Sequence, residues 1–155
     1  MIRNLINKFS TTLYVQIWEH RIKATNIQSN EVFDEKPLLE IKPKSKGKMD
    51  VVAFGNKAQP ESINPFSHPR VLFSDFQAGE KLLQLIIKKL LSKSIFTPQP
   101  AVVLHPMEKT EGGLTMIEVR AFREMGYGAG AREVVVYQGE PLHPSTINFN
   151  ELAEQ

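Results

Sequence analysis

The sequence predicts an α/β fold, a single domain on a mixed sheet with an early antiparallel meander and a later parallel βαβ part. Three observations carry this expectation. Several short strand patterns come first, and helix, strand, helix, strand follow. Val134, Val135, Val136 and Tyr137 form an unbroken apolar run, as in a strand covered on both faces. Gly79, Leu83, Ile86, Ile87 and Leu90 recur on one stripe of a helix. A strand–helix–strand unit of this kind closes as a right-handed parallel crossover. At 155 residues the chain is long enough for one ordinary core. It divides into an amphipathic N-terminal helix at residues 1–10 and one domain at 11–155.

Met1, Ile2, Leu5, Ile6 and Phe9 share one face of a short helical pattern, and Arg3, Asn4, Asn7 and Lys8 fill the other. Leu13, Val15 and Ile17 then alternate with Tyr14, Gln16 and Trp18, which reads as a strand. Residues 21–28 supply its hairpin partner, with Ile22, Ala24 and Ile27 as apolar positions. A third extended piece, 37–42, carries Leu38, Leu39 and Ile41, and Val51 to Phe54 is a further strand of the same meander, stopped by Gly55 and Asn56. Lysines 42, 44, 46 and 48 lie in a breaker-rich loop between them. Three prolines make residues 60–69 an irregular connection. A long helix is expected from about 77 to 91, a strand at 101–104, a second helix at about 115–125 and a strand at 133–137. The small residues Gly126, Gly128, Ala129, Gly130 and Ala131 end that second helix and allow close backbone approach.

Composition narrows the function classes. Nineteen basic residues against seventeen acidic leave a formal charge of +2, too weak to argue for nucleic acid. No cysteine is present, which excludes thiolate chemistry and cysteine-ligated metal and fits a reducing cytoplasm. His20, His68, His105 and His143 show no ligand spacing and read as ordinary loop residues, so no metal is expected. The run from Leu82 to Leu91 is broken by Gln84, Lys88 and Lys89 and is a core helix rather than a membrane span. No secretory signal pattern opens the chain. A cytoplasmic location is expected.

Several local motifs resemble one family. Gly128-Ala-Gly-Ala-Arg-Glu-Val134 followed by Glu140-Pro141 is the densest match, and Thr115-Met-Ile-Glu-Val-Arg-Ala121 is similar to the opening of the helix before it. Ser74-Asp75-Phe76 with Glu80-Lys81, and the N-terminal nonapeptide itself, add weaker matches. Together they resemble the first half of the bacterial actin homologues of the rod shape-determining MreB family. The resemblance implies an actin-like (ribonuclease H-like) subdomain, two phosphate loops, a catalytic carboxylate and a second lobe closing over ATP.

The departures from that pattern decide the expected function. The family's first strand carries an Asp and then a Gly-Thr turn for metal and phosphates. Here Gln16 stands at the Asp, and Trp18 and Glu19 replace the turn. A neutral amide holds a divalent cation poorly, a Trp blocks backbone approach to phosphate, and a carboxylate repels it. The second phosphate loop is not met before Gln155. Glu140 occupies the family's catalytic Glu position, yet without phosphates to attack it has no reaction to assist, so no catalytic, cofactor-binding or metal-binding residue is expected. About five extra residues between Pro106 and Glu118 lengthen the loop before the second helix.

The expected function is therefore that of a non-catalytic, MreB-like module acting by protein contacts with the cell-shape or envelope machinery. The alternative is an ATP binder completed by a dimer partner or a second chain. For the N-terminal helix, pattern alone fits core packing or a frayed end. The resemblance, with Arg3 and Lys8, favours weak peripheral contact of Ile2, Leu5, Ile6 and Phe9 with the inner membrane face. The lysine loop is a solvated loop or a contact for anionic lipid or an acidic partner. Exposed apolar surface is expected beyond Pro141, where a second lobe would pack, and a homodimer through that face follows.

Overall fold

The computed structural model describes residues 11–42, 50–91 and 99–155. The N-terminal helix with Ile2, Leu5, Ile6 and Phe9, and all of the lysine loop after Lys42 up to Met49, lie outside the described residues. Seven strands and three helices are described: β1 Thr12–Ile17, β2 Ile22–Asn26, β3 Val32–Glu35, β4 Leu39–Lys42, β5 Asp50–Phe54, α1 Phe76–Leu91, β6 Ala101–Pro106, α2 Met116–Gly128, β7 Glu133–Val136 and α3 Phe149–Ala153. The main sheet has the order β3-β2-β1-β6-β7. β1, β2 and β3 pair antiparallel, whereas β1–β6 and β6–β7 pair parallel, which is the mixed sheet expected.

The meander differs from expectation in two ways. Val32–Glu35 is its third strand, although two of its four residues are acidic. An edge strand needs little apolar content: Phe33 is buried, while Asp34 forms a bidentate pair with Arg21 at 2.8 and 2.6 Å. Pro37 then turns the chain off that edge, having no N–H to continue a ladder. As a result β4 and β5 form a separate two-stranded sheet rather than part of the main one.

One face of the main sheet carries Leu13, Val15 and Ile17 of β1, Ile22 and Ala24 of β2, and Val102 and Leu104 of β6. Leu82, Leu83, Ile86 and Leu90 of α1 and Phe122 and Met125 of α2 close this core. Burial of each such side chain contributes about 1.5–3 kcal/mol. Asp75 starts α1 by accepting the Ala78 N–H at 3.0 Å. Thr115 and Glu118 form a reciprocal capping box at the start of α2, at 3.2 and 3.1 Å. α2 runs through Gly126 to Gly128 instead of stopping at 125, and Gly130, at φ +111°, makes the exit turn that only glycine adopts without strain. Gly126 has the expected close approach: a Cβ there would stand 2.8 Å from Cγ2 of Val134.

β7 corrects the reading of a strand covered on both faces. It is the sheet's edge, and only Val134 is fully buried while Val135 and Val136 are half-buried. An edge strand has a neighbour on one side only, so its apolar run is shielded less than that of a central strand. The second face of the sheet holds Thr12 and Tyr14 of β1 and Ala101, Val103 and His105 of β6, all buried. The segment after Pro141 returns across this face, with Ile147, Phe149 and α3 near Thr12 and Ala101. Leu142, Ile147, Phe149 and Leu152 are half-buried in consequence. The exposed large apolar side chains lie elsewhere, at Val32, Val52, Ile63, Met116, Ile117 and Tyr127, so the expected bare surface beyond Pro141 is not found.

Candidate functional site

Because β1, β6 and β7 run parallel, their carboxyl ends emerge at one edge, where open α/β sheets place ligands. Three segments meet there: Gln16 to Glu19 at the end of β1, Pro106 to Thr110 at the end of β6, and Gln138 to Glu140 after β7. His105, Pro106, Met107, Thr110, Gly113, Gln138, Gly139 and Glu140 line a cavity of ≈ 430 Å³. The lining contributes one carboxylate, Glu140, and no lysine or arginine. Glu140 is exposed, and its backbone carbonyl accepts the Tyr137 hydroxyl at 3.0 Å. The Gln138 side chain is used structurally, accepting the Leu114 N–H at 2.8 Å.

The side chains at the end of β1 and in the turn after it have partners of their own. Gln16 places its amide nitrogen 3.9 Å from the Met107 sulfur. Trp18 lies under the Arg21 guanidinium, 4.8 Å from its ring centroid. Glu19 accepts the Ser67 hydroxyl at 2.9 Å and pairs with Lys109 at 3.4 Å. The Ser67 hydrogen bond and then the Lys109 ammonium hold the Glu19 carboxyl below its ordinary range. Lys109 adopts a left-handed φ of +57°, and its ammonium also donates to the His68 carbonyl. Lys109 thereby ties the loop before α2 to the β1 turn and to the connection at His68.

His105 is the residue that the sequence reading placed wrongly. It sits within β6, 2% exposed, rather than in a loop. Its Nδ1 lies 2.7 Å from the Tyr14 hydroxyl and its Nε2 3.0 Å from the Gly139 carbonyl. The Tyr14 oxygen in turn accepts the Leu142 N–H at 3.1 Å. A neutral imidazole carrying its proton on Nε2 satisfies every member: Leu142 N–H to Tyr14, Tyr14 O–H to Nδ1, Nε2–H to Gly139. Burial lowers the His105 pKa, opposed by the Gly139 carbonyl, and burial raises that of Tyr14. The ring stacks on Tyr14 and meets Tyr137 edge-on, with centroids at 5.9 and 4.7 Å. The signal was available as the alternation Ala101, Val103, His105 along one strand face. Among the described residues no group of three or more His, Cys, Asp or Glu side chains is placed to hold a metal ion. Among them, too, no helix is long and apolar enough to cross a membrane.

No model of a known protein family matches the chain. The cell shape-determining protein MreB of Pasteurella multocida is 32% identical over 119 residues, covering 72% of this chain and 32% of that protein. MreB of Escherichia coli is 43% identical over 72 residues, covering 46% of this chain and 19% of its own length. The chain thus spans about a third or less of the curated relatives it matches. Among solved structures, MreB5 of Spiroplasma citri bound to ADP superposes with a TM-score of 0.60 at 17% identity, over 83% of this chain and 38% of the other. The same protein bound to AMPPNP gives 0.60 at 19% identity. An actin-like mixed sheet together with these sequence matches establishes that the chain belongs to the MreB family of bacterial actin homologues.

Proposed function

We propose that the chain is a non-catalytic MreB-like module that works through protein contacts in bacterial cell-shape or envelope assembly, at the cytoplasmic face of the inner membrane. The relatives supply the process, since those matched by sequence are cell shape-determining proteins. The state of the β1 turn supports the loss of catalysis. Where ATP phosphates and their cation would need a carboxylate and a backbone cradle, Gln16 offers a neutral amide and the turn carries the bulky Trp18, stacked on Arg21. Glu19 adds negative charge, already engaged by Ser67 and Lys109. These residues do not fit Mg-ATP. Peripheral membrane contact through Ile2, Leu5, Ile6 and Phe9 belongs to the same proposal and would be weak for one chain and stronger for an assembly.

A second reading is favoured by the cavity beside Glu140: an ATP binder whose missing half comes from a dimer partner or a second chain. Isothermal titration with Mg-ATP at high protein concentration separates the two. A flat titration, with no nucleotide-dependent polymerisation, is expected of the non-catalytic module. ATP hydrolysis abolished by Glu140→Ala would sink it.

A further inference from the structure

A cavity also opens at the sheet edge opposite Glu140. Thr12 begins β1, Ala101 begins β6 and Arg132 stands just before β7, so the amino ends of the three parallel strands meet there. With Gln28 and residues 147–150 they line a space of ≈ 230 Å³. The polar groups around it are donors. The Gln28 amide oxygen accepts the Thr12 N–H at 2.9 Å, and the Asn148 amide oxygen accepts those of Asn150 and Glu151 at 3.1 and 3.3 Å. The two N–H groups at the start of α3 are thereby satisfied and are not the site. With their oxygens so engaged, both amides keep their NH2 groups as donors for a ligand. Thr12 is 7% exposed, and among the described residues nothing bonds its hydroxyl. Arg132 is the only charged residue in the lining, and its Nη1 pairs with Glu133 at 3.4 Å. Ile27, Ile147 and Phe149 supply the apolar wall.

We propose that this cavity binds a small organic monocarboxylate. Its carboxylate is held by Arg132, the Thr12 hydroxyl and the side-chain amides of Gln28 and Asn148, and its apolar body rests on Ile27, Ile147 and Phe149. A single guanidinium with no second cation in the lining balances one negative charge, not the several of a nucleotide. Its planar fork matches the two oxygens of a carboxylate, and the hydroxyl and amide donors serve the remaining lone pairs. Three apolar side chains favour a hydrocarbon or aromatic body over a bare inorganic anion, which they would only desolvate. The volume lies below the roughly 300–1,000 Å³ of drug-sized pockets, which limits the ligand to a small molecule. Such a ligand would tie residues 147–150 to the amino ends of β1 and β7. The inference goes beyond the contact-based role proposed above, since the site lies at the edge away from Gln16, Trp18 and Glu140.

Amide NMR titration of the full chain with benzoate and with hexanoate tests the site. Saturable shifts at millimolar ligand are expected at Thr12, Gln28, Arg132 and Asn148. Benzamide and hexanamide, which keep the shape without the charge, should bind roughly tenfold more weakly, and so should inorganic phosphate. Arg132→Gln should weaken benzoate binding roughly tenfold, and Arg132→Lys, which keeps the charge without the fork, should recover part of the loss. Thr12→Val removes only the hydroxyl, suits a strand and should weaken binding several-fold. Far-UV spectra establish that each variant is folded. Three results would each overturn the proposal: no saturable shift with either acid, equal binding of the neutral amides or of phosphate, or binding unchanged by Arg132→Gln. Should Arg132→Gln fail to fold, binding unchanged by Thr12→Val overturns it instead. The Mg-ATP titration reads the opposite edge of the sheet, so either result leaves the other standing.

Discussion

At the residue scale, His105 has the most at stake. Its two ring nitrogens and the Tyr14 hydroxyl form a chain that is complete only while the imidazole is neutral. Protonation would add a donor at Nδ1 against the Tyr14 hydroxyl, leaving that O–H without its acceptor in a buried place. Burial lowers the folded pKa below the ordinary value of about 6.5, so as pH falls the unfolded chain takes up this proton first. His105 therefore contributes stability that is present above about pH 6.5 and is lost as the pH drops through that value toward the folded pKa. Urea midpoints between pH 7.5 and 5 should fall more steeply for the native chain than for His105→Gln, which keeps a polar side chain but does not titrate. A gap between the two that is constant with pH would refute the argument. This chain of bonds was not legible beforehand, because Tyr14, His105, Gly139 and Leu142 converge only when β6 lies beside β1 and the C-terminal segment crosses the sheet.

At the element scale, α2 shows which small residues matter. Gly126 faces β7, and a methyl group there meets Val134 at 2.8 and 3.1 Å and Leu104 at 3.4 Å. Those partners are packed in the core and cannot turn away. Gly128 faces the end of the Glu80 side chain, which is flexible and can move. Alanine gains about 1 kcal/mol of helix propensity over glycine at either position. At Gly126 overpacking of about 1–3 kcal/mol should outweigh that gain, while Gly128→Ala should be neutral or mildly stabilising. Denaturant titration of both variants decides it, and a stabilised Gly126→Ala would show that helix and strand are not in tight contact. The glycine-rich stretch announced close packing in the sequence, yet which glycine carries it depends on helical phase relative to β7. Phase can be read only after the helix is known to continue to Gly128.

At the scale of the whole molecule, the five-stranded sheet and the β4–β5 pair are unequal. β1 has a neighbour on each side and buried side chains on both faces, whereas β4 and β5 make a two-stranded sheet beside them. Such a pair is marginal by itself and depends on its packing against the rest. Native-state hydrogen exchange should therefore show β5 amides opening at lower free energy than those of β1 and β6. Equal protection throughout would make the molecule one cooperative unit.

The sequence by itself determined the α/β class, the parallel crossover at the end, the helical stripe of α1 and the family. Each rests on periodicity or on contiguous motifs, which are properties of neighbouring residues. It also marked Gln16, Trp18 and Glu19 as departures from the family pattern. What only the tertiary structure decided is which residues become neighbours. It assigned β3 to the main sheet and β4–β5 to another, put β7 at an edge, folded the segment after Pro141 over the second face, and buried His105 beneath it. Sheet order and edge status arise from contacts between distant segments, and burial follows from them. No local pattern encodes those contacts, because the same apolar run satisfies a central strand and an edge strand until its neighbours are in place.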